Sequence, residues 1–336
     1  VPHFEKMLYD NALLAGAYLD GYLATGEQRY AEVVRETLGY IRNYMTDDLG
    51  GYHSTEDADS EGVEGKFYVW TPDEVRGLLD ETEYELVSRL YGLDREPNFE
   101  GHWHLHTFGD PEAIADSSGL SQEAFNNGIE SARQKLFAAR EVRVRPGRDE
   151  KILTSWNALM MRGMARAGRV LGEPAWIDSA EKSLGFIRST LWKDGCLLAT
   201  FKDGKAHLNA YLDDYAYLID AILELLRARW IDEALAFAIE LAERLLEHFE
   251  DEQYGGFYFT SDDHEQLIQR PKPMSDDAMP SGNGVAAFAL QRLGYLLGDL
   301  NYLDAAGKTL RAAWNRMESL PHAHGALLIA LMEQLE

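Results

Sequence analysis

Residues 207–229 read HLNAYLDDYAYLIDAILELLRAR, and this stretch decides the fold. From Tyr211 onward, Leu212, Tyr215, Leu218, Ile219, Ile222, Leu225 and Leu226 recur at three- and four-residue steps. That spacing is the period of a helix. Ala216, Ala221 and Leu223 fill much of the opposite side. A helix apolar most of the way round is buried on most sides. Its first turn nonetheless carries Asp213 and Asp214 side by side, where free N–H groups and the helix dipole favour negative charge. The stretch is an interior helix with a polar, acidic start.

The same unit recurs along the chain. Inner helices are predicted over 6–24, 154–171, 211–229, 280–297 and 323–335, with amphipathic outer partners over 27–45, 174–191, 231–249 and 302–317. Similar connectors follow the outer helices: Asp48-Leu49-Gly50-Gly51-Tyr52, Asp194-Gly195-Cys196 and Tyr254-Gly255-Gly256-Phe257-Tyr258. Their glycines suit a tight turn into a short strand that returns as a hairpin, as over 255–270. This is an internal repeat of helical hairpins. It is interrupted by an insertion over about 50–146, where strands are expected at 65–70 and 102–107 and helices at 72–79, 83–91 and 122–140. Paired helices in this order imply an all-α (α/α)6 toroid, six-hairpin glycosidase-like, with short β-hairpins in the connectors. The expectation is one domain over 1–336 carrying that insertion. The chain opens at Val1 without a methionine, so the toroid is expected to be truncated on its N-terminal side, with apolar surface exposed where a sixth hairpin packs.

Composition narrows the partners. The 336 residues carry a formal net charge of −25. That argues against nucleic acid and anionic membrane, which need clustered Lys and Arg, and leaves a neutral sugar open. Cys196 is the single cysteine, so neither an internal disulfide nor a CxxC redox pair is available. No apolar run is long enough to cross a membrane. A cytoplasmic location is the expectation.

In a ring, the inner-helix starts converge at one end. Catalytic candidates there are His3, Asp213, Asp214 and Asp277. Substrate-binding candidates are Glu5, Asp10, Asn11, Asp59, Lys151, Trp156, Asn157, Tyr215, Arg270, Ser281 and Asn283. Carboxylates, amides and aromatic faces are what a carbohydrate site needs: rings stack on sugars and short polar groups bind hydroxyls. Adjacent Asp213 and Asp214 point about 100° apart on a helix, so only one faces the axis well. Each admits a plain reading as a helix cap and a functional one as an acid or base whose proton is held by neighbouring Asp276 and Asp277. His3, His322 and His324 sit near helix starts, which bias an imidazole towards neutral and suit it to proton abstraction beside a carbonyl. The loop DADSEGVEGKFY begins like a calcium loop, but Tyr68 stands where the bidentate Glu is required. His102, His104 and His106 alternate on a strand without a carboxylate partner. Neither is assigned a metal, and no cofactor is expected.

The segments PHFEKMLYDNA, GGYHSTEDADSEGVEGKFYVW, NFEG, DEKILTSWNALM, YLDDYAY and RPKPMSDDAMPSGNGVAA, in this order, resemble the thioredoxin-like (DUF255) proteins related to spermatogenesis-associated protein 20. The resemblance covers most of the chain. It implies a toroid similar to N-acylglucosamine 2-epimerases, preceded in the full-length protein by a thioredoxin-like domain that is then the partner in the same chain. It implies the fold more firmly than a reaction. Three readings stand: a sugar epimerase or isomerase with His bases, a glycoside hydrolase with paired carboxylates, and a non-catalytic module that binds a ligand or client for the thioredoxin-like domain. If a carboxylate is the acid or base, Asp214→Asn or Asp213→Asn lowers turnover by about 10²–10⁴. A pure cap tolerates Asn.

Overall fold

The computed structural model describes residues 3–264 and 268–335. Its helices are α1 (Leu8–Thr25) and α2 (Gln28–Tyr44), then α3 (Pro72–Leu78), α4 (Glu81–Tyr91), α5 (Pro111–Ser117) and α6 (Gln122–Glu141). After these come α7 (Thr154–Leu171), α8 (Pro174–Phe186), α9 (Leu212–Ala228) and α10 (Asp232–Phe249). The last three are α11 (Gly282–Leu297), α12 (Leu300–Ser319) and α13 (Gly325–Leu335). The chain divides into two compact units. One is Val1–Lys6 with Glu56–Arg148, and the other is Met7–Thr55 with Asp149–Glu336. The boundary falls close to the insertion read at 50–146. Among the described residues, no helix is long and apolar enough to cross a membrane.

The larger unit is built from the hairpins α1/α2, α7/α8, α9/α10 and α11/α12, with α13 packed on α11 and α12. The inner helices neighbour one another in the order α1, α7, α9, α11, α13. α9 is the middle of that row, and every residue from Asp214 to Leu226 is buried. Its all-round apolar sequence is matched by neighbours on all sides. α7 and α11 are buried nearly as fully. At the two ends of the row, burial is one-sided. α1 buries Leu8, Ala12, Ala15 and Leu19 but exposes Leu14, Tyr18 and Leu23. α13 buries Leu327 and Ala330 but exposes Ile329, Met332 and Leu335. The expectation of burial on most sides therefore fails for these two. An apolar sequence states capacity for burial, and only packed neighbours supply it.

The connectors are fixed by a repeated clamp. After α2, the Asp47 carboxylate accepts from the Leu49 N–H at 2.7 Å and closes the turn before Gly50-Gly51-Tyr52. Asn157 on α7 then accepts from the Tyr52 N–H at 2.7 Å and donates to the Tyr52 carbonyl at 2.9 Å. After α10, Asp251 accepts from the Gln253 and Tyr254 N–H groups and from Lys272. Asn283 on α11 accepts from the Phe257 N–H at 2.7 Å and donates to the Phe257 carbonyl at 3.0 Å. The middle connector uses a hydroxyl: Tyr215 on α9 accepts from the Leu197 N–H at 3.0 Å. Each incoming strand is thus pinned to the next inner helix through its own backbone. The glycines make this possible. Gly256 has φ +80°, and a Cβ on Gly51 would lie 2.6 Å from Ile152.

Strand Cys196–Lys202 pairs antiparallel with Lys205–Asn209 and with Ile152–Leu153, in register Thr200↔His207 and Thr200↔Leu153. This is the hairpin read from the sequence at the middle connector. For the hairpin expected over 255–270, residues 265–267 lie outside the described residues, and the described part carries a bridge between Glu250 and Phe257.

The smaller unit has its own core, in which Trp70, Val75, Leu86, Val87, Ile114, Phe125 and Leu136 pack together. Thr71 and Asp80 form capping boxes at the starts of α3 and α4. Val69–Trp70 pairs with Trp103–His104, so both expected strands are present but shorter. α5, capped by Asp110, is too short to leave a period in the sequence.

Asn157→Ala and Asn283→Ala each strand a buried strand N–H and carbonyl. Each is expected to lower stability in urea unfolding by about 2–4 kcal/mol. A loss below about 0.5 kcal/mol for both would remove the clamp from the account of the fold.

Candidate active site

Buried helix starts leave N–H groups that need acceptors, and in the larger unit two aspartates supply them. Asp214, on the first turn of α9, is buried. Its oxygens accept from the Tyr211 N–H and from the Ser155 N–H on α7, both at 2.8 Å. Asp276, in the segment before α11, repeats the device. It accepts from the Ser281 N–H at 2.8 Å and from the Ala326 N–H on α13 at 3.0 Å. Each carboxylate ties two helix starts together, where both dipoles favour an anion.

Asp213 is placed differently. It is half-buried, and no described residue donates a hydrogen bond to it. Its Oδ1 lies over the start of α11, where a Cβ on Gly282 would come within 2.1 Å of it. Burial, reinforced by the charge of Asp214, pushes the Asp213 carboxyl up to about 7. Burial raises Asp214 as well, to about 6, against the hydrogen bonds from Tyr211 and Ser155. Of the pair, Asp213 is the one that keeps its proton longest. Tyr217 donates its hydroxyl to the Pro280 carbonyl. Burial and the charges of Asp213, Asp214 and Asp276 hold it protonated.

Half-buried aromatic rings lie at the same helix starts. Trp156 on α7 stands edge-on to Tyr9 on α1, with centroids 4.8 Å apart. Tyr211, at the N-cap of α9, stacks on Phe259 at 4.9 Å and 12°. The structure therefore brings together Asp213, Asp214 and Asp276, the Ser281–Gly282 turn and a buried tyrosine hydroxyl, with ring faces at the same starts.

The other candidates have places of their own. Asn157, Asn283 and Tyr215 hold the connector clamps. Ser281 caps α11 by accepting from the Gly284 N–H. Arg270 donates to the Thr260 and His248 carbonyls and lies 4.4 Å over the Tyr258 ring. Lys151 pairs with Asp149 at 2.9 Å. Asn11 donates to the Met7 carbonyl at 2.8 Å, the same bond that Asn157 makes to Leu153. Asp10 and Asp277 are exposed. His322 is exposed, while His324 is buried with Nδ1 2.8 Å from the Leu320 carbonyl. His3, Glu5 and Asp59 belong to the smaller unit. There His3 is exposed with Nδ1 3.3 Å from the Glu5 carbonyl, and Asp59 is exposed on a short hairpin. In the same unit, Glu61 of the acidic loop is paired with Lys66 at 2.8 Å, and the His104 and His106 rings stack on each other.

Sequence reading named Asp276 only as a charge crowding the Asp213–Asp214 pair, and did not select Tyr211 or Gly282. Nothing local distinguishes Asp276 from Asp277. The difference lies in which carboxylate reaches α13, about 50 residues on.

This fold defines the class: the chain is an α/α toroid of the six-hairpin type. Over 92–93% of its length it superimposes on a sugar epimerase from a ruminal bacterium (TM-score 0.57, 11% identity, 60% of that chain) and on cellobiose 2-epimerase from Bacillus thermoamylovorans (TM-score 0.56, 10% identity, 61% of that chain). In sequence it is 34% identical, over 99% of its length, to spermatogenesis-associated protein 20 of Homo sapiens. It spans about half the length of that relative, 47%. No family model matches the chain.

Asp213 holds its proton to a higher pH in the folded protein than in the unfolded chain. The stability it contributes is present below about pH 4 and is lost as pH rises through about 7. Asp213→Asn is therefore expected to raise unfolding free energy at pH 8 by about 1–3 kcal/mol and to leave it little changed at pH 4. Asp214→Asn loses one of its two acceptor oxygens, which costs about 1–3 kcal/mol, and this offsets the relief of its ionisation at pH 8, so it is expected to gain less there than Asp213→Asn. Equal behaviour of the two variants across pH would overturn the distinction between them.

Proposed function

We propose that this protein is a carbohydrate-active enzyme of the epimerase or isomerase kind, with Asp213 as the group that gives and takes the proton. The carrying observation is that Asp213 alone among the three neighbouring aspartates is without a protein donor, while burial keeps its proton near neutral pH. A general acid or base works best when its proton is poised near the operating pH. Asp214 and Asp276 are committed to helix N–H groups. A hydrolase needs a second, freely ionised carboxylate across the cleft, and neither of these supplies one. A single poised carboxyl group fits proton transfer at a carbon beside a sugar carbonyl. Tyr211 and Trp156 offer ring faces for the sugar, and the Ser281–Gly282 turn offers backbone close to the reacting group. The names of the two superimposable enzymes, a sugar epimerase and a cellobiose 2-epimerase, support the substrate class.

The test is solvent exchange. The protein is incubated in D₂O with a panel of reducing mono- and disaccharides, and deuterium at the carbon next to the carbonyl is followed by NMR. Exchange is expected for at least one sugar, and Asp213→Asn is expected to slow it by about 10²–10⁴. Gly282→Ala, whose Cβ collides with Asp213, is expected to slow it while leaving the charge in place. Release of reducing ends without exchange would favour the hydrolase reading. Sugar binding with neither reaction would favour a non-catalytic module serving a thioredoxin-like domain.

A further inference from the structure

Phe4 anchors the segment that precedes α1. Of residues 3–7 it alone is buried. Its ring sits in a socket of the smaller unit. Tyr68 stacks on it with centroids 5.6 Å apart, and Phe99 and His104 meet it edge-to-face at 4.9 and 5.7 Å. Gly65 closes the socket, since a Cβ there would lie 2.6 Å from the Phe4 ring. The backbone of His104 is held in place. Its N–H donates to Asn98 Oδ1 at 2.7 Å, and Asn98 Nδ2 donates to its carbonyl at 2.9 Å. His104 also faces Val69 in the two-stranded ladder.

One wall of this socket is therefore titratable, and its surroundings suit the neutral imidazole. His104 Nδ1 is buried with no hydrogen-bond partner among the described residues. A neutral ring can leave that nitrogen as a bare lone pair and carry its proton on Nε2. An imidazolium puts an N–H there, and an N–H sealed without an acceptor is costly. The charges around the ring act in the same direction. His106 stacks on it at 5.7 Å and 25°. Lys6, on the segment that carries Phe4, lies 3.8 Å over the Tyr68 ring and 3.7 Å from Glu56. Burial, then the charges of His106, the amino terminus and Lys6, hold the His104 imidazole below its ordinary 6.5. None of the charges acting on it is a carboxylate.

We propose that His104 is a pH-operated latch on the segment before α1: the neutral ring closes the socket on Phe4, and the protonated ring opens it and frees residues 3–6. One proton moves from solvent to Nδ1, and no covalent bond between heavy atoms forms or breaks. The new N–H finds its acceptor in water, which enters where the Phe4 ring stood. The folded protein takes up this proton less readily than the unfolded chain. The stability of the closed latch is therefore complete above about pH 6.5 and is lost as pH falls from there through the lowered value. The latch lies in the smaller unit and is independent of Asp213.

Hydrogen exchange on the whole protein tests this. Exchange of the Glu5, Lys6 and Met7 amides is compared at pH 7.5 and about pH 5.5, after correction for the intrinsic pH dependence of exchange. Wild type is expected to lose protection there by about tenfold, the effect of one group titrating across one pH unit. His104→Phe keeps a ring in the socket but cannot take the proton, and it is expected to hold the same protection at both pH values. His104→Gln is a second non-titrating variant should the larger ring not fit, and circular dichroism checks that each is folded. Undiminished protection of wild type at the lower pH overturns the proposal. An equal loss in wild type and in the His104 variants overturns it as well, since the titrating group then lies elsewhere.

Discussion

The structure depends on how buried helix starts satisfy their N–H groups. The first turns of α7, α9, α11 and α13 lie against one another, and each leaves donors without an intrahelical partner. The chain answers with carboxylates that serve two helices at once, Asp214 for α9 and α7 and Asp276 for α11 and α13. A carboxylate suits this position because it has two acceptor oxygens, one for each helix, where an amide has one. The same requirement recurs one step outward. There Asn157, Tyr215 and Asn283 satisfy the backbone of the strands that enter from the outer helices. Capping and clamping together set the spacing of the repeat.

That arrangement creates the chemical asymmetry at Asp213. Its neighbour takes the available N–H donors, so Asp213 is left with burial and a like charge, both of which oppose ionisation. Gly282 lets α11 approach closely, since a Cβ there would lie 2.1 Å from Asp213 Oδ1. A structural device for holding helices thereby produces a carboxyl group poised near neutral pH, beside ring faces that suit a sugar. The late histidines are placed differently. His324 is spent on a carbonyl, and His322 is exposed.

Much of this was written in the chain. The all-round apolar run of residues 211–229, set against amphipathic partners, gave the order of inner and outer helices, because burial on many sides and burial on one side leave different periods. The Gly-Gly-aromatic connectors marked the strands that follow outer helices, because few other residues take those turns. The paired Asp213 and Asp214 marked the polar start of α9. Asn157 and Asn283 were also visible as polar residues at inner-helix starts, which is why they stood among the substrate-binding candidates. The structure gives their amides entirely to the backbone.

Sequence by itself determined the class of fold, the repeat and the polar end of the inner helices, since these follow from local periodicity and turn chemistry. Tertiary structure alone decided which aspartate holds its proton. Asp213 and Asp214 share a helix turn, and their difference comes from Ser155 on α7 and Gly282 on α11. It likewise separated Asp276 from Asp277 through a bond to Ala326. The physical reason is the same in each case. A carboxylate's state depends on the donors and charges within a few ångströms of it, and those arrive from helices far away in the chain.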